Sequence, residues 1–159
     1  MTMANENSAP ERFYQTVNFH FSVSFRPNDK DSIDTRFQSV TGLDSTIETE
    51  TVKEGGENHF EHVIPVRRKY GPIFLKRGLA TSDLTEWLKH SFDNADARMK
   101  PIPTVDIMLL NDEHKALMQW TINNVWPRSW KIGELNAERG EVLIETLELN
   151  YNQLIFKYT

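Results

Sequence analysis

The chain has 159 residues, 38% of them hydrophobic, so it can bury one core of ordinary size and has little room for a second domain. A formal charge of −5 at pH 7 argues against a protein whose main task is gripping nucleic acid by neutralising phosphates. With no cysteine, disulfide frameworks, thiolate metal sites and cysteine nucleophiles are excluded together.

Residues 1–12 read as a flexible polar arm and 13–159 as a single domain. The arm lacks the apolar segment of a secretory leader, and no stretch approaches the ~20 apolar residues that span a bilayer. The expectation is synthesis in the cytoplasm without a membrane anchor, any later release needing lysis or a machine.

From Val17 to Arg26 the chain alternates: Val17, Phe19, Phe21, Val23 and Phe25 on one face, Asn18, His20, Ser22, Ser24 and Arg26 on the other. That period of two predicts a strand. Pro27 to Asp34, with three Asp, predicts a loop, and a short strand is expected at about Arg36 to Val40, leading into Thr41-Gly42-Leu43. Thr46, Ile47, Thr49, Thr51 and Val52 are β-branched and favour an extended arm. Gly55 and Gly56 then form a turn, and a return arm runs from Asn58 to about Arg68. This long hairpin carries Glu48 and Glu50 on one face and few large apolar residues before Phe60, Val63 and Ile64. It has too little core to be stable alone, so it either projects into solvent or is completed by another subunit.

Tyr70-Gly71-Pro72 breaks the chain before the apolar segment Ile73 to Leu79. A helix is expected over about 82–94, with Leu84, Trp87, Leu88, Ser91 and Phe92 on one face. Asp83 and Glu86 have capping-box spacing, with Ser82 the alternative cap. Strands are expected at Thr104 to Leu110, at Ala116 to Val125 (ended by Trp126-Pro127), and at Val142 to about Tyr151, with an apolar tail at Leu154 to Tyr158 that can dock. Six or seven strands plus a long hairpin and one flanking helix predict a mainly β fold, a β-barrel or two-sheet sandwich.

Little here points to chemistry. His59 and His62 would lie on opposite faces of a strand, and no helix presents the zinc-protease pattern. Neither a phosphate loop, a dinucleotide glycine pattern nor a nucleophile elbow occurs. The expectation is no catalytic residue, no metal and no cofactor. The one basic cluster, Arg67-Arg68-Lys69-Tyr70, has two readings: a phosphate or acidic-partner site with Tyr70 as stacking ring, or, favoured by the acidic whole, ion pairing with Glu48, Glu50 or Glu54 on a neighbouring strand or subunit.

Several segments in order are similar to the inner-tube proteins of contractile tails. They are Phe19-His20-Phe21, Val40-Thr41-Gly42-Leu43, the double-glycine hairpin, Ile73 to Leu79, Leu84 with Trp87-Leu88, Trp120 to Pro127, and Ile144 to Leu149. That family comprises phage tail tubes, tubes of extracellular contractile injection systems and, more distantly, the type VI secretion tube protein. The resemblance spans about Phe13 to Tyr151 and implies a β-barrel subunit that forms six-membered rings stacked into a hollow tube, driven through a target envelope by a contracting sheath.

By that similarity the Thr46 to Ile64 hairpin would carry contacts between rings or subunits. This nominates Glu48, Glu50, Lys53, Glu54, Gly55, Gly56, Glu57 and His59, with Arg67 and Arg68. Asn18, His20, Ser22 and Ser24 would face the lumen. Expected partners are further copies in hexameric rings, a sheath protein, a baseplate or spike with a first-ring tube paralogue, and protein or nucleic-acid cargo held without sequence-specific binding. The particle would be a phage tail or a released extracellular injection particle. The competing readings are a monomeric β-barrel ligand-binding module, which predicts an apolar cavity, and, more distantly, a hydrolase with an acidic pair.

Overall fold

The computed structural model describes residues 20–53, 55–56, 61–96 and 98–158, apart from the Asp34 side chain. In chain order the elements are β1 (Phe21–Arg26), β2 (Ile33–Thr35), β3 (Ser39–Thr41), β4 (Ser45–Val52), β5 (His62–Tyr70), β6 (Ile73–Gly78), α1 (Asp83–Asp93), β7 (Ile102–Leu110), β8 (Ala116–Ile132), β9 (Ile144–Asn150) and β10 (Gln153–Tyr158). One antiparallel sheet runs β2-β1-β7-β8-β9-β6-β3, with β10 also on β8, and β4 and β5 form a separate two-stranded sheet. Among the described residues, no helix is long and apolar enough to cross a membrane.

The strand β8 organises the sheet. Its first half pairs with β7 on one side and β10 on the other, and its second half pairs with β9. The expectation that Trp126-Pro127 ends this strand is corrected: β8 continues to Ile132. A register shift lies between Pro127 and Ser129, and at such a bulge a residue without an N–H does not break the ladder. Asn124 just before it takes a positive φ of 56°. Two further elements exceed the expectation. The loop after β1 ends in β2, which pairs with β1, so the strand expected at Arg36 to Val40 is confined to Ser39–Thr41. The apolar tail docks as a full strand, β10, on β8.

Both halves of the sheet close on one core. Val23 and Phe25 from β1, Val105 and Ile107 from β7, and Ile122 and Val125 from β8 meet Ile73 and Leu75 from β6 and Leu147 and Leu149 from β9, all buried. Leu84 and Leu88 of α1 join them, in keeping with the apolar stripe read from the sequence. Trp87 packs beside Phe25, with ring centroids 6.3 Å apart. Gly42 takes φ +89°, and a Cβ there would lie 2.2 Å from the Pro72 carbonyl oxygen, so only glycine fits.

The inward face shared by β6 and β9 has three rungs. Ile73 faces Leu149, Leu75 faces Leu147, and Arg77 faces Glu145. The third rung is an ion pair, with Arg77 and Glu145 only 4% and 2% exposed. Arg77 Nε donates to Glu145 Oε1, and Trp130 Nε1 donates to Glu145 Oε2 at 2.7 Å. The guanidinium also donates to Ser82 Oγ at 3.3 Å and Thr85 Oγ1 at 3.2 Å, and lies 5.6 Å from the Phe37 ring centroid.

This contact revises the helix cap. Ser82 is the N-cap residue, yet its side chain makes no cap hydrogen bond, because its oxygen serves Arg77. The Asp83/Glu86 capping box is not the device used. Its place is taken by the backbone, with Thr85 and Glu86 N–H donating to the Ser82 carbonyl.

Removing one member of a buried pair strands the other. Glu145→Ala is expected to lower the unfolding free energy by about 3–5 kcal/mol, read from denaturant unfolding of the dissociated chain. A loss no larger than that of an exposed substitution such as Glu113→Ala would contradict the account.

Candidate assembly surfaces

The β4–β5 hairpin gains its shape from pairing alone. Ser45 faces Tyr70 at the base and Val52 faces His62 near the tip, with a register shift between Glu48 and Thr49 that leaves Val66 as the extra residue. The turn holds Gly55 and Gly56, the latter at φ +114°. The glycine tip expected from the sequence is therefore where it was placed. Large apolar side chains stay exposed along it: Ile47, Val52, Val63, Ile64 and Val66.

The basic cluster at its base is paired within the chain. Glu48 accepts from Arg67 Nε at 2.5 Å and lies 3.3 Å from Lys69 Nζ. Arg67 first, then Lys69, holds the Glu48 carboxyl below its ordinary range, and Glu48 in turn raises Arg67. Tyr70, the candidate stacking ring, instead packs on Tyr151 with centroids 5.8 Å apart. Burial, with Asp44 and Tyr70 nearby, pushes the Tyr151 hydroxyl up to about 12.

Of the nominated hairpin residues, Glu48, Glu50 and Arg67 share one face, and Arg68 lies on the other, opposite Ile47. Lys53 sits beyond the strand and pairs with Glu61 at 3.3 Å. Glu54, Glu57 and His59 lie outside the described residues, as does Asn18 of the nominated lumen set.

The other nominated face belongs to the β1-β7-β8-β10 half. Ser24 stands between Asp34 and Asp106 in register, and Ser22 opposite Met108. Ser24 is buried, Ser22 half-buried and His20 exposed, with the His20 ring 5.5 Å from that of His114 in the β7–β8 turn. Reading the sequence strand by strand missed what unites this face. Asp106, 2% exposed, accepts from Thr121 Oγ1 at 2.7 Å and Gln119 Nε2 at 2.9 Å, and pairs with Arg26 at 2.8 Å. The signal was the matching polar alternation of β7 and β8. An open groove of about 920 Å³ runs beside this face, along Ser22, Ser24, Arg26 and Met108. It is not the enclosed apolar cavity that a small-ligand module requires. Among the described residues, no group of three or more His, Asp or Glu is placed to hold a metal.

The profile of the T4-like virus tail tube protein gp19 family matches residues 17–155. A chain in the cryo-EM structure of the anti-feeding prophage baseplate, 6-fold symmetrised, is 31% identical, covers 89% of this chain and 95% of its own length, and superposes with a TM-score of 0.79. A chain from the PVC sheath–tube complex in the extended state shares the fold at 22% identity and TM-score 0.77, covering 93% of this chain and 95% of that one. Hcp1 from Flavobacterium johnsoniae shares it at 14% identity and TM-score 0.57, over 89% of this chain and 97% of that one. No curated protein gives a significant match.

The depressed Glu48 carboxyl carries a sign. Its contribution to hairpin pairing is present above the ordinary glutamate range and is lost as pH falls through the lowered folded value. Carboxyl NMR titration should place Glu48 below the ordinary glutamate range, and Arg67→Ala should move it back towards that range; titration of Glu48 within the ordinary range in the unmodified chain would refute the pairing.

Proposed function

The chain belongs to the T4-like virus tail tube protein gp19 family and is a structural tube subunit, and from this we propose that it assembles as six-membered rings stacked into a hollow tube. The observation that carries the proposal is the β4–β5 hairpin, a two-stranded sheet off the main sheet with its large apolar side chains exposed. A lone hairpin is marginal in water, and a neighbour supplies the cover it lacks. Contacts between unlike patches close into rings or run on as open filaments according to the rotation between copies, and a tube of stacked rings uses both.

In this reading Glu48, Glu50, Lys53, Gly55, Gly56, Arg67 and Arg68 belong to the contact between subunits or rings. The face with His20, Ser22 and Ser24 lines the lumen, where the polar layer around Asp106 offers a cargo no large apolar patch to stick to. Residues 20–158 act as one folded unit, and the arm expected at residues 1–12 lies outside the described residues. The partners are a sheath protein outside, a baseplate or spike with a first-ring paralogue at one end, and unspecifically held cargo inside. Solved relatives come from a baseplate and a sheath–tube complex, which supports this setting. The particle is then a phage tail or an extracellular injection particle, and the role is mechanical rather than catalytic.

Negative-stain microscopy of the purified chain is expected to show rings or stacked tubes; a monodisperse monomer at high concentration would refute the proposal. Gly56→Val burdens a backbone of positive φ at the exposed tip, where a Cβ meets nothing. It should reduce stacking several-fold while leaving the monomer's melting temperature within a few degrees; equal loss of both would remove the hairpin from the contact.

A further inference from the structure

The two faces of the hairpin differ in kind. The register puts Ile47, Thr49, Thr51, Val63 and Pro65 on one face, with Arg68 as its charge, and Glu48, Glu50, Arg67 and Lys69 on the other, together with the less exposed Val52 and Ile64 towards the tip. On the charged face Glu48 is held by ion pairs with Arg67 and Lys69. The neutral face stands open: Ile47 and Val63 are 58% and 61% exposed. At its base this face carries Tyr70, which rests on Tyr151, so it continues the side on which the core lies.

A second apolar surface is left open at the far end of the same core. Across the inward face of the β1-β7-β8-β10 half, the row Phe25, Val105, Ile122 and Leu154 is buried throughout. In the next row Val23 and Ile107 are buried but Phe156 is 43% exposed, and in the row beyond it Tyr158 is 79% exposed. The face thus runs out from under its cover towards β10. Its rings are already assembled there, Trp120 to Phe156 at 5.5 Å and Phe156 to Tyr158 at 4.9 Å, edge-on.

We propose that this aromatic ledge, Phe156 and Tyr158 backed by Trp120, receives the neutral face of the hairpin from a second copy of the chain. Ile47 and Val63 are the inserted side chains, and Arg68 lies over the rings. The inference rests on the tube reading, which brings copies together. Each surface is apolar, exposed and short of a partner, and the two match in chemistry: aliphatic side chains against aromatic rings, and one guanidinium where a ring face attracts it. The hairpin and its receptor are different patches, so the contact is heterologous and passes from copy to copy. The charged ladder of the hairpin is left facing away, where its ion pairs stay intact.

The absence of cysteine makes the test clean. Val63→Cys with Tyr158→Cys, both at exposed positions, is assembled, oxidised mildly and run on a denaturing gel without reductant. A disulfide forms only where Cα atoms come within about 7 Å, so a ladder of covalent multimers is expected. Either single variant, and the pair Val63→Cys with Leu135→Cys, should give no ladder. Assembled tubes with no ladder from the 63/158 pair would overturn the docking and leave the tube reading standing, whereas failure of the unmodified chain to assemble would remove both. A closed monomer with an intrachain 63–158 disulfide would also overturn it. So would a ladder from Tyr158→Cys with Ser8→Cys and none with position 63, which would give the ledge to the first nineteen residues instead.

Discussion

Arg77 sits on the inward face of a strand, where its neighbours two and four residues earlier are Leu75 and Ile73, and most of the remaining architecture follows from how that charge is housed. A guanidinium away from water needs an anion and acceptors for its other N–H groups. Glu145 supplies the anion from β9, Ser82 and Thr85 supply oxygens from the start of α1, and Phe37 supplies a ring from the segment before β3. Trp130 on β8 then fixes the second carboxylate oxygen. Three separate stretches of chain are thereby positioned against one side chain, and β8 is tied in through its counter-charge. The arrangement also sets register: slipping β6 or β9 by one residue would turn one charge outward and leave the other buried alone.

The two halves of the sheet use polar residues differently. On the β6/β9 side, charge is sealed inside and knits elements together. On the β1/β7/β8 side, Asp106 anchors a layer spread over the outer face, where Gln119, Thr121 and Arg26 converge on one carboxylate. Such a layer holds its own side chains in place, which suits a surface past which other molecules slide. The hairpin follows a third pattern, with Glu48 paired to two cations on one face and its most exposed aliphatic side chains, Ile47 and Val63, bare on the other.

Much of this was legible in the sequence because period-two alternation and glycine placement act locally. The strand at 21–26, the hairpin with its tip at Gly55 and Gly56, and the helix within 82–94 needed only neighbouring residues to be recognised. What depended on distant partners was not legible. Pro127 looked like a terminator because its lost N–H matters only if the ladder demands it there, and the bulge removes the demand. The tail at Leu154 to Tyr158 showed only that it could dock, because a segment this short becomes a strand only when an unpaired edge awaits it. Ser82 looked like an ordinary cap, its diversion to Arg77 being decided by a residue on another element. The alternation Ile73, Leu75, Arg77 and, in β9, Glu145, Leu147, Leu149 did carry the buried pair in plain view. A charge at an inward position is the cue to search for its partner.

The double membership of β8 has a consequence for how the protein comes into being. Its 17 residues pair backward with β7, already synthesised, and forward with β9 and β10, which emerge later. A nascent chain that has reached residue 132 therefore holds a long strand with one half matched and the other bare, and it lacks Glu145, the counter-charge of Arg77. Long-range pairing of this kind is slow and leaves edges exposed until the last contacts form. The final six-residue strand covers the remaining edge of the first half and brings Phe156 and Tyr158 into place. Completion of this sheet thus waits on a strand made after all its neighbours, and chains stopped before it lack the surface by which copies would recognise one another.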